Sequence, residues 1–160
     1  MVIMTAIQSI LHNLEELTVI VPYNSIRFSQ EFEEVFCFEK AEKLRKLQLN
    51  FSFNDFIAEA VQPIFKNITS GPNIEEFNFS LESLKISHVH FNKGIKELKR
   101  LTKLKKFTLN GSNNTIREEG IFGICDILAE FQLLEELELI LRQYRSCYVD
   151  PKSATKDFQN

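Results

Sequence analysis

The segments LEELTVIV (14–21), LRKLQLNF (44–51), IEEFNFSL (74–81), LKKFTLNG (104–111) and LEELELIL (134–141) recur at a spacing of thirty residues and share one register. Their first, fourth, sixth and eighth positions are apolar, with Gly111 the one exception. Alternation at the fourth, sixth and eighth has the period of a strand buried on one face, so the recurrence predicts five equivalent strands. Self-similarity at this period belongs to chains built as arrays, in which each unit buries its apolar face against the next. LESLKIS (81–87) offers a rival register for the third strand, but a start at Ile74 is preferred because only it keeps the spacing.

Between these segments the apolar period lengthens to that of a helix. SQEFEEVFCFEKA (29–41), FIAEAVQPIFKNI (56–68), FNKGIKELKRL (91–101) and EEGIFGICDILAEF (118–131) predict helices, and VIMTAIQSIL (2–11) predicts the helix of a preceding half unit. Val35, Phe65, Ile95 and Cys125 fall in one column and Phe38, Ile68, Leu98 and Leu128 in another, as a helix face packed on the sheet requires. That alignment places Cys125 in the core as an inert thiol. Pro63 predicts that its helix kinks or starts late.

These residues resemble the leucine-rich repeat family, whose unit begins LxxLxL, and in particular its ribonuclease-inhibitor-like class, over about residues 1–141. Asn24, Asn54 and Asn114, each followed two residues on by Ile26, Phe56 or Ile116, resemble the family's asparagine turn. The third unit departs from it, with Leu84 where asparagine is expected. The resemblance implies an α/β solenoid of about five repeats of thirty residues, with a parallel sheet on the concave side and helices on the convex side. It covers one domain, residues 1–141, followed by a polar tail over 142–160.

In such a stack equivalent positions become neighbours. The second and third positions then form a ladder of Glu15 and Glu16, Arg45 and Lys46, Glu75 and Glu76, Lys105 and Lys106, Glu135 and Glu136, alternating in sign at every step. Pairing of this kind selects neighbour and register more than it stabilises, because burying one large apolar side chain contributes about 1.5–3 kcal/mol.

Other functional classes find little support. A net charge of −3 gives no global pull toward nucleic acid or an anionic membrane, and no apolar run approaches a membrane span of roughly 18 residues. The opening residues lack the basic start of a signal peptide. Cys37, Cys125 and Cys147 are an odd number without CxxC spacing, so no disulfide framework or zinc site is expected, and a reducing, cytoplasmic setting fits, within a cytoskeletal or other large assembly. His88 and His90 have no neighbouring cysteine or acidic pair to complete a metal site and read as surface residues of a loop or strand. Cys147 lies in the polar tail, and NGSNN (110–114) is a turn without the lysine of a phosphate loop. The chain is therefore expected to be no enzyme and to need neither cofactor nor metal.

The one local charge excess comprises Lys93, Lys96, Lys99, Arg100 and Lys103, with Lys105 and Lys106 beyond it. It reads as the solvated side of a helix, or as a dock for an acidic protein surface. RNA is the weaker reading, since only Phe91 and Phe107 lie nearby to stack on bases.

The expected function is a non-catalytic protein–protein interaction or scaffold module, docked in a larger assembly or forming part of a longer repeat protein. Its binding face would be the concave row Thr18, Gln48, Asn78, Thr108 and Glu138, with Ile20, Asn50, Ser80, Asn110 and Ile140 beside it. Neither end reads as capped, which points to neighbouring subunits. The resemblance also implies two alternatives, a regulator of a GTPase and the substrate-recognition arm of a ubiquitin ligase. No residue distinguishes the first, and the second normally needs an F-box segment, which these residues do not contain.

Overall fold

Alternating apolar residues form strands where the thirty-residue spacing places them. The computed structural model describes residues 2–28 and 37–143. Strands β1 (Glu16–Ile20), β3 (Lys46–Asn50), β5 (Glu76–Ser80), β6 (Lys106–Asn110) and β7 (Glu136–Ile140) form one five-stranded, all-parallel sheet in the order β1-β3-β5-β6-β7. Every residue lies opposite the one thirty positions on, Leu17 against Leu47 and Phe77 against Phe107 for example. The third strand is thus the one begun by Ile74. Two short strands, β2 (Arg27–Phe28) and β4 (Asp55–Phe56), pair in parallel, and Ser87 bridges Thr115.

Parallel strands need crossover connections, and helices supply those from β3 to β5, from β5 to β6 and from β6 to β7. Among the described residues the α-helices are α1 (Val2–Ile10), α2 (Val61–Ile68), α3 (His88–Ile95) and α4 (Arg117–Leu128). The chain among the described residues is therefore α/β. No helix there is long and apolar enough to cross a membrane.

One face of the sheet carries the core. Leu47, Leu49, Phe77, Phe79, Phe107 and Leu109 are buried with Ile64, Phe65, Ile68, Phe91, Ile95 and Leu98 from the helical side. Phe79 joins the two layers, its ring 5.1 Å from that of Phe65 and 5.3 Å from that of Phe77. The rings of Phe77 and Phe107 stack across adjacent strands at 5.9 Å. Offset contacts of this type add about 0.5–1.5 kcal/mol to the area they bury.

The late start foreseen from Pro63 is observed in α2, while other helix positions differ from expectation. α2 starts at Val61 after a 3-10 turn over Ala58–Ala60, so Pro63 sits in its first turn, where a missing amide costs no hydrogen bond. α3 starts at His88, capped by the Ser87 side chain, and gives way to a 3-10 helix over Lys96–Arg100. His88 and His90 are therefore half-buried helix residues, not surface residues of a loop or strand. In α4 the expected column is displaced. Cys125 is exposed, and Gly120, Ile124 and Ile127 are buried instead. These follow Phe91, Ile95 and Leu98 at a spacing of twenty-nine rather than thirty, which turns Cys125 about 100° away from the buried stripe. The helix expected over 29–41 falls mostly outside the described residues, Val35 included. Phe38 is fully buried in a non-helical stretch, where its amide donates to Ser70 Oγ at 2.9 Å. Cys147 and all but the start of the polar tail also lie outside the described residues.

After β1, β3, β5 and β6 the chain turns through a residue with positive φ: Tyr23, Phe53, Ser83 and Asn113, at 57–58°. A left-handed side-chain-bearing residue costs about 1–2 kcal/mol. Each amide is compensated by a carbonyl of the following turn, Tyr23 by Ser52 (3.2 Å), Phe53 by Glu82 (2.8 Å), Ser83 by Ser112 (3.0 Å) and Asn113 by Arg142 (2.8 Å).

Two buried asparagines hold these turns together. Asn54 Nδ2 donates to the carbonyls of Val21 (2.7 Å) and Phe51 (2.9 Å), and its Oδ1 accepts from the amides of Asn24 (3.1 Å) and Ile26 (3.0 Å). Asn114 repeats the pattern with Leu81 (2.7 Å), Gly111 (3.1 Å), Leu84 (3.2 Å) and Ile86 (2.9 Å). One side chain thus serves two successive turns, which explains Leu84: its turn is already supplied by Asn114, and it fills the core as an apolar residue. Asn24 is exposed, and among the described residues its side chain donates only to the Pro22 carbonyl.

Candidate protein-binding face

The period of two that buries one face of each strand leaves the other face open. On that open face the strands form a groove of about 400 Å³ lined by two rows of side chains. One row is charged: Glu16, Lys46, Glu76, Lys106 and Glu136. The other is Thr18, Gln48, Asn78, Thr108 and Glu138. Strand pairing holds members of each row about 4.8 Å apart along the groove.

The charged row and its neighbours in the preceding position are largely committed to one another. Lys46 Nζ lies 3.2 Å from Glu16 and 3.8 Å from Glu76, and Lys106 Nζ lies 2.8 Å from Glu136. Beside them Glu75 is held by Lys105 at 2.7 Å and Arg45 at 3.6 Å. The hydrogen bond from Lys105 keeps the Glu75 carboxyl below its ordinary range, and the charges of Lys105 and Arg45 act the same way against desolvation. Hydrogen bonds to Glu16, Glu75 and Glu136 likewise raise Lys46, Lys105 and Lys106 above the ordinary lysine value.

The second row is different. The side chains of Thr18, Gln48, Asn78 and Thr108 make no hydrogen bond with another described residue, and all but the half-buried Thr108 are exposed. Thr18, Gln48, Asn78 and Thr108 lie side by side in the groove, with Glu138 at the end of the row. Asn50 and Asn110 are not part of the groove lining. They sit at the strand ends, where Asn50 Oδ1 accepts the Ser52 amide at 3.0 Å and Asn110 Oδ1 accepts the Ser112 amide at 3.1 Å. Asn110 also donates to Glu82 Oε2 at 3.2 Å. Conversely, the charged row belongs to the groove wall as well as to the register of the sheet. The alternation of faces could have shown this, since third and fifth positions share one side.

The basic cluster does not converge. Arg100 pairs with Glu97 at 3.2 Å, and Lys103 donates to Asn73 Oδ1, while Lys93, Lys96 and Lys99 are exposed along α3 and the 3-10 helix that follows. Glu97 also accepts from Gln62 at 3.0 Å. His90 Nδ1 hydrogen-bonds Ser87 Oγ at 2.8 Å. Among the described residues no group of histidine, cysteine, aspartate and glutamate could hold a metal ion.

Compared with known proteins, the chain matches no protein-family model, no curated protein and no solved structure.

Proposed function

We propose that the chain is a leucine-rich-repeat solenoid of the ribonuclease-inhibitor-like class and acts as a non-catalytic protein-interaction module, with the open sheet face as its binding surface. The carrying observation is the contrast between the two rows of the groove. The charged row is largely occupied by its own ion pairs, whereas Thr18, Gln48, Asn78 and Thr108 present donors and acceptors with no partner among the described residues. A polypeptide laid along the groove would take up those neutral polar groups and meet a wall of alternating charge. Such a face favours register over net charge, and shape and hydrogen bonding carry the selectivity. The basic residues of the helical side supply no comparable surface, since Arg100 and Lys103 are already engaged and Lys93, Lys96 and Lys99 are spread along α3 and the 3-10 helix that follows. A reducing, cytoplasmic setting is compatible with the free thiols of Cys37 and Cys125.

The test is site-specific photocrosslinking in native extract, with a photoreactive side chain placed at Asn78 in one variant and at Lys96 in another. Crosslinks to another protein at Asn78 and none at Lys96 are expected. The reverse pattern transfers the interaction to the basic cluster and ends this reading.

A further inference from the structure

β7 is the outermost strand of the five-stranded sheet, and its far edge has no strand partner among the described residues. The interior strands show what this edge is made to meet. The Glu15 carbonyl accepts the amides of Arg45 and Lys46 at 2.8 and 3.1 Å, and the Arg45 carbonyl those of Glu75 and Glu76 at 2.8 and 2.9 Å. The Glu75 carbonyl accepts from Lys105 and Lys106, and the Lys105 carbonyl from Glu135 and Glu136, each pair at 2.8 and 3.0 Å. The Glu135 carbonyl is the next acceptor in that series and has no such pair among the described residues.

Side chains follow the same rule. Glu75 is bound from both sides by Arg45 and Lys105, and Lys46 from both sides by Glu16 and Glu76. Among the described residues Glu136 is bound from one side only, by Lys106, with its side chain 65% exposed. Glu135 makes no ion pair among the described residues. Leu137 tells the same story in apolar surface: its counterparts Leu47, Phe77 and Phe107 are at most 2% exposed, and Leu137 is 48% exposed. The opposite edge is not equivalent, because Leu17 in β1 is only 9% exposed.

The two strands that carry a basic pair share a further pattern. β3 continues into Asn50, Ser52 and Asn54, and β6 into Asn110, Ser112 and Asn114. Their buried asparagines donate to a carbonyl after the preceding acidic strand, Val21 for Asn54 and Leu81 for Asn114. Leu141 occupies the same place after β7.

We infer that the outer edge of β7 binds an extended segment of another polypeptide, parallel to β7, with the pattern basic-basic-apolar-polar-apolar-Asn-x-Ser-x-Asn. Its basic pair meets Glu135 and Glu136, its amides meet the Glu135 carbonyl, its apolar residues cover Leu137, and its last asparagine reaches the Leu141 carbonyl. A second copy of the chain does not supply this segment. Both of its basic strands are interior to the sheet, and its free edge, β1, would set Glu15 and Glu16 against Glu135 and Glu136. Residues 144–160 contain no adjacent pair of basic residues.

The probe is a fluorescein-labelled peptide, LRKLQLNFSFN, with the sequence of residues 44–54, measured by fluorescence anisotropy against the full chain beside its acidic counterpart LEELQLNFSFN. The basic peptide is expected to bind about tenfold tighter than the acidic one. That preference should shrink several-fold as salt rises from about 50 to about 500 mM. The double change Glu135→Gln and Glu136→Gln, with folding verified by circular dichroism, removes the preference, and Glu135→Lys with Glu136→Lys inverts it. Glu15→Lys with Glu16→Lys leaves it intact. Absence of binding, equal binding of both peptides, a preference indifferent to Glu135 and Glu136, or a dimer of the chain that Leu137→Asp dissolves would each overturn the assignment.

Discussion

Asn54 and Asn114 show how one side chain sets the sequence tolerance of its neighbours. Each saturates its amide with carbonyls of two turns and its oxygen with two amides, so the turn before each can carry an exposed Asn24 or an apolar Leu84. Replacing Asn114 with alanine strands the amides of Leu84 and Ile86 and the carbonyls of Leu81 and Gly111 in a buried setting. Leaving such groups unpaired costs about 1–3 kcal/mol each before water enters, so Asn114→Ala is expected to destabilise the chain by about 2–4 kcal/mol in urea unfolding. Asn24→Ala should change it by less than about 0.5 kcal/mol, because one exposed hydrogen bond among the described residues is lost. Similar losses for the two variants would show that the asparagines do not differ in the way their burial indicates.

At the scale of elements, strands and helices were not equally legible. Each strand is fixed twice, by the period of two and by the residue thirty positions away that must lie opposite it, and all five appear in the expected register. A helix can start one residue early without disturbing the strands, and a one-residue shift rotates its buried stripe by about 100°. That freedom put Ile124 and Ile127 in the core and Cys125 outside it, and it carried the start of α3 back to His88. The groove was readable in its neutral row because those residues alternate with core positions. Asn50 and Asn110 alternate in the same way, but they cap the strand ends, a role set by turn geometry rather than by periodicity. Close packing of α2 on α3 was not readable at all. It depends on Gly94, where an added Cβ would stand 2.8 Å from the Phe65 ring and 3.0 Å from Val61. Alanine gains roughly 0.5–1 kcal/mol over glycine inside a helix, and overpacking a dense core costs about 1–3 kcal/mol. Both contacts are fully buried and cannot retreat, so Gly94→Ala is expected to lower stability by about 1 kcal/mol, measured by denaturant unfolding. A stabilised variant would mean that the helices are free to separate.

The charge ladder is the one electrostatic feature that spans the whole sheet, and it gives the molecule a defined pH response. Glu75 has its folded-state pKa lowered, first by the hydrogen bond from Lys105, so its contribution is present above the unfolded value near 4.5 and is lost as pH falls through the lower folded value. Lys46, Lys105 and Lys106 are raised, chiefly by hydrogen bonds to glutamates. Their contribution is complete below the unfolded value near 10.5 and disappears as pH climbs through the raised folded values. The midpoint of thermal unfolding should therefore run level from about pH 5 to about pH 10 and fall on both sides. All these groups are solvent-accessible, so molar salt should lower the level region and flatten both limbs, as screening weakens exposed pairs. Glu75 is the two-sided member that titrates in acid, and Glu75→Gln should make the acid limb shallower while also lowering the level region. Differential scanning calorimetry across that range decides the matter. Superimposable acid limbs for the original chain and the variant would show that the alternating charges fix the register of the sheet without contributing to its acid stability.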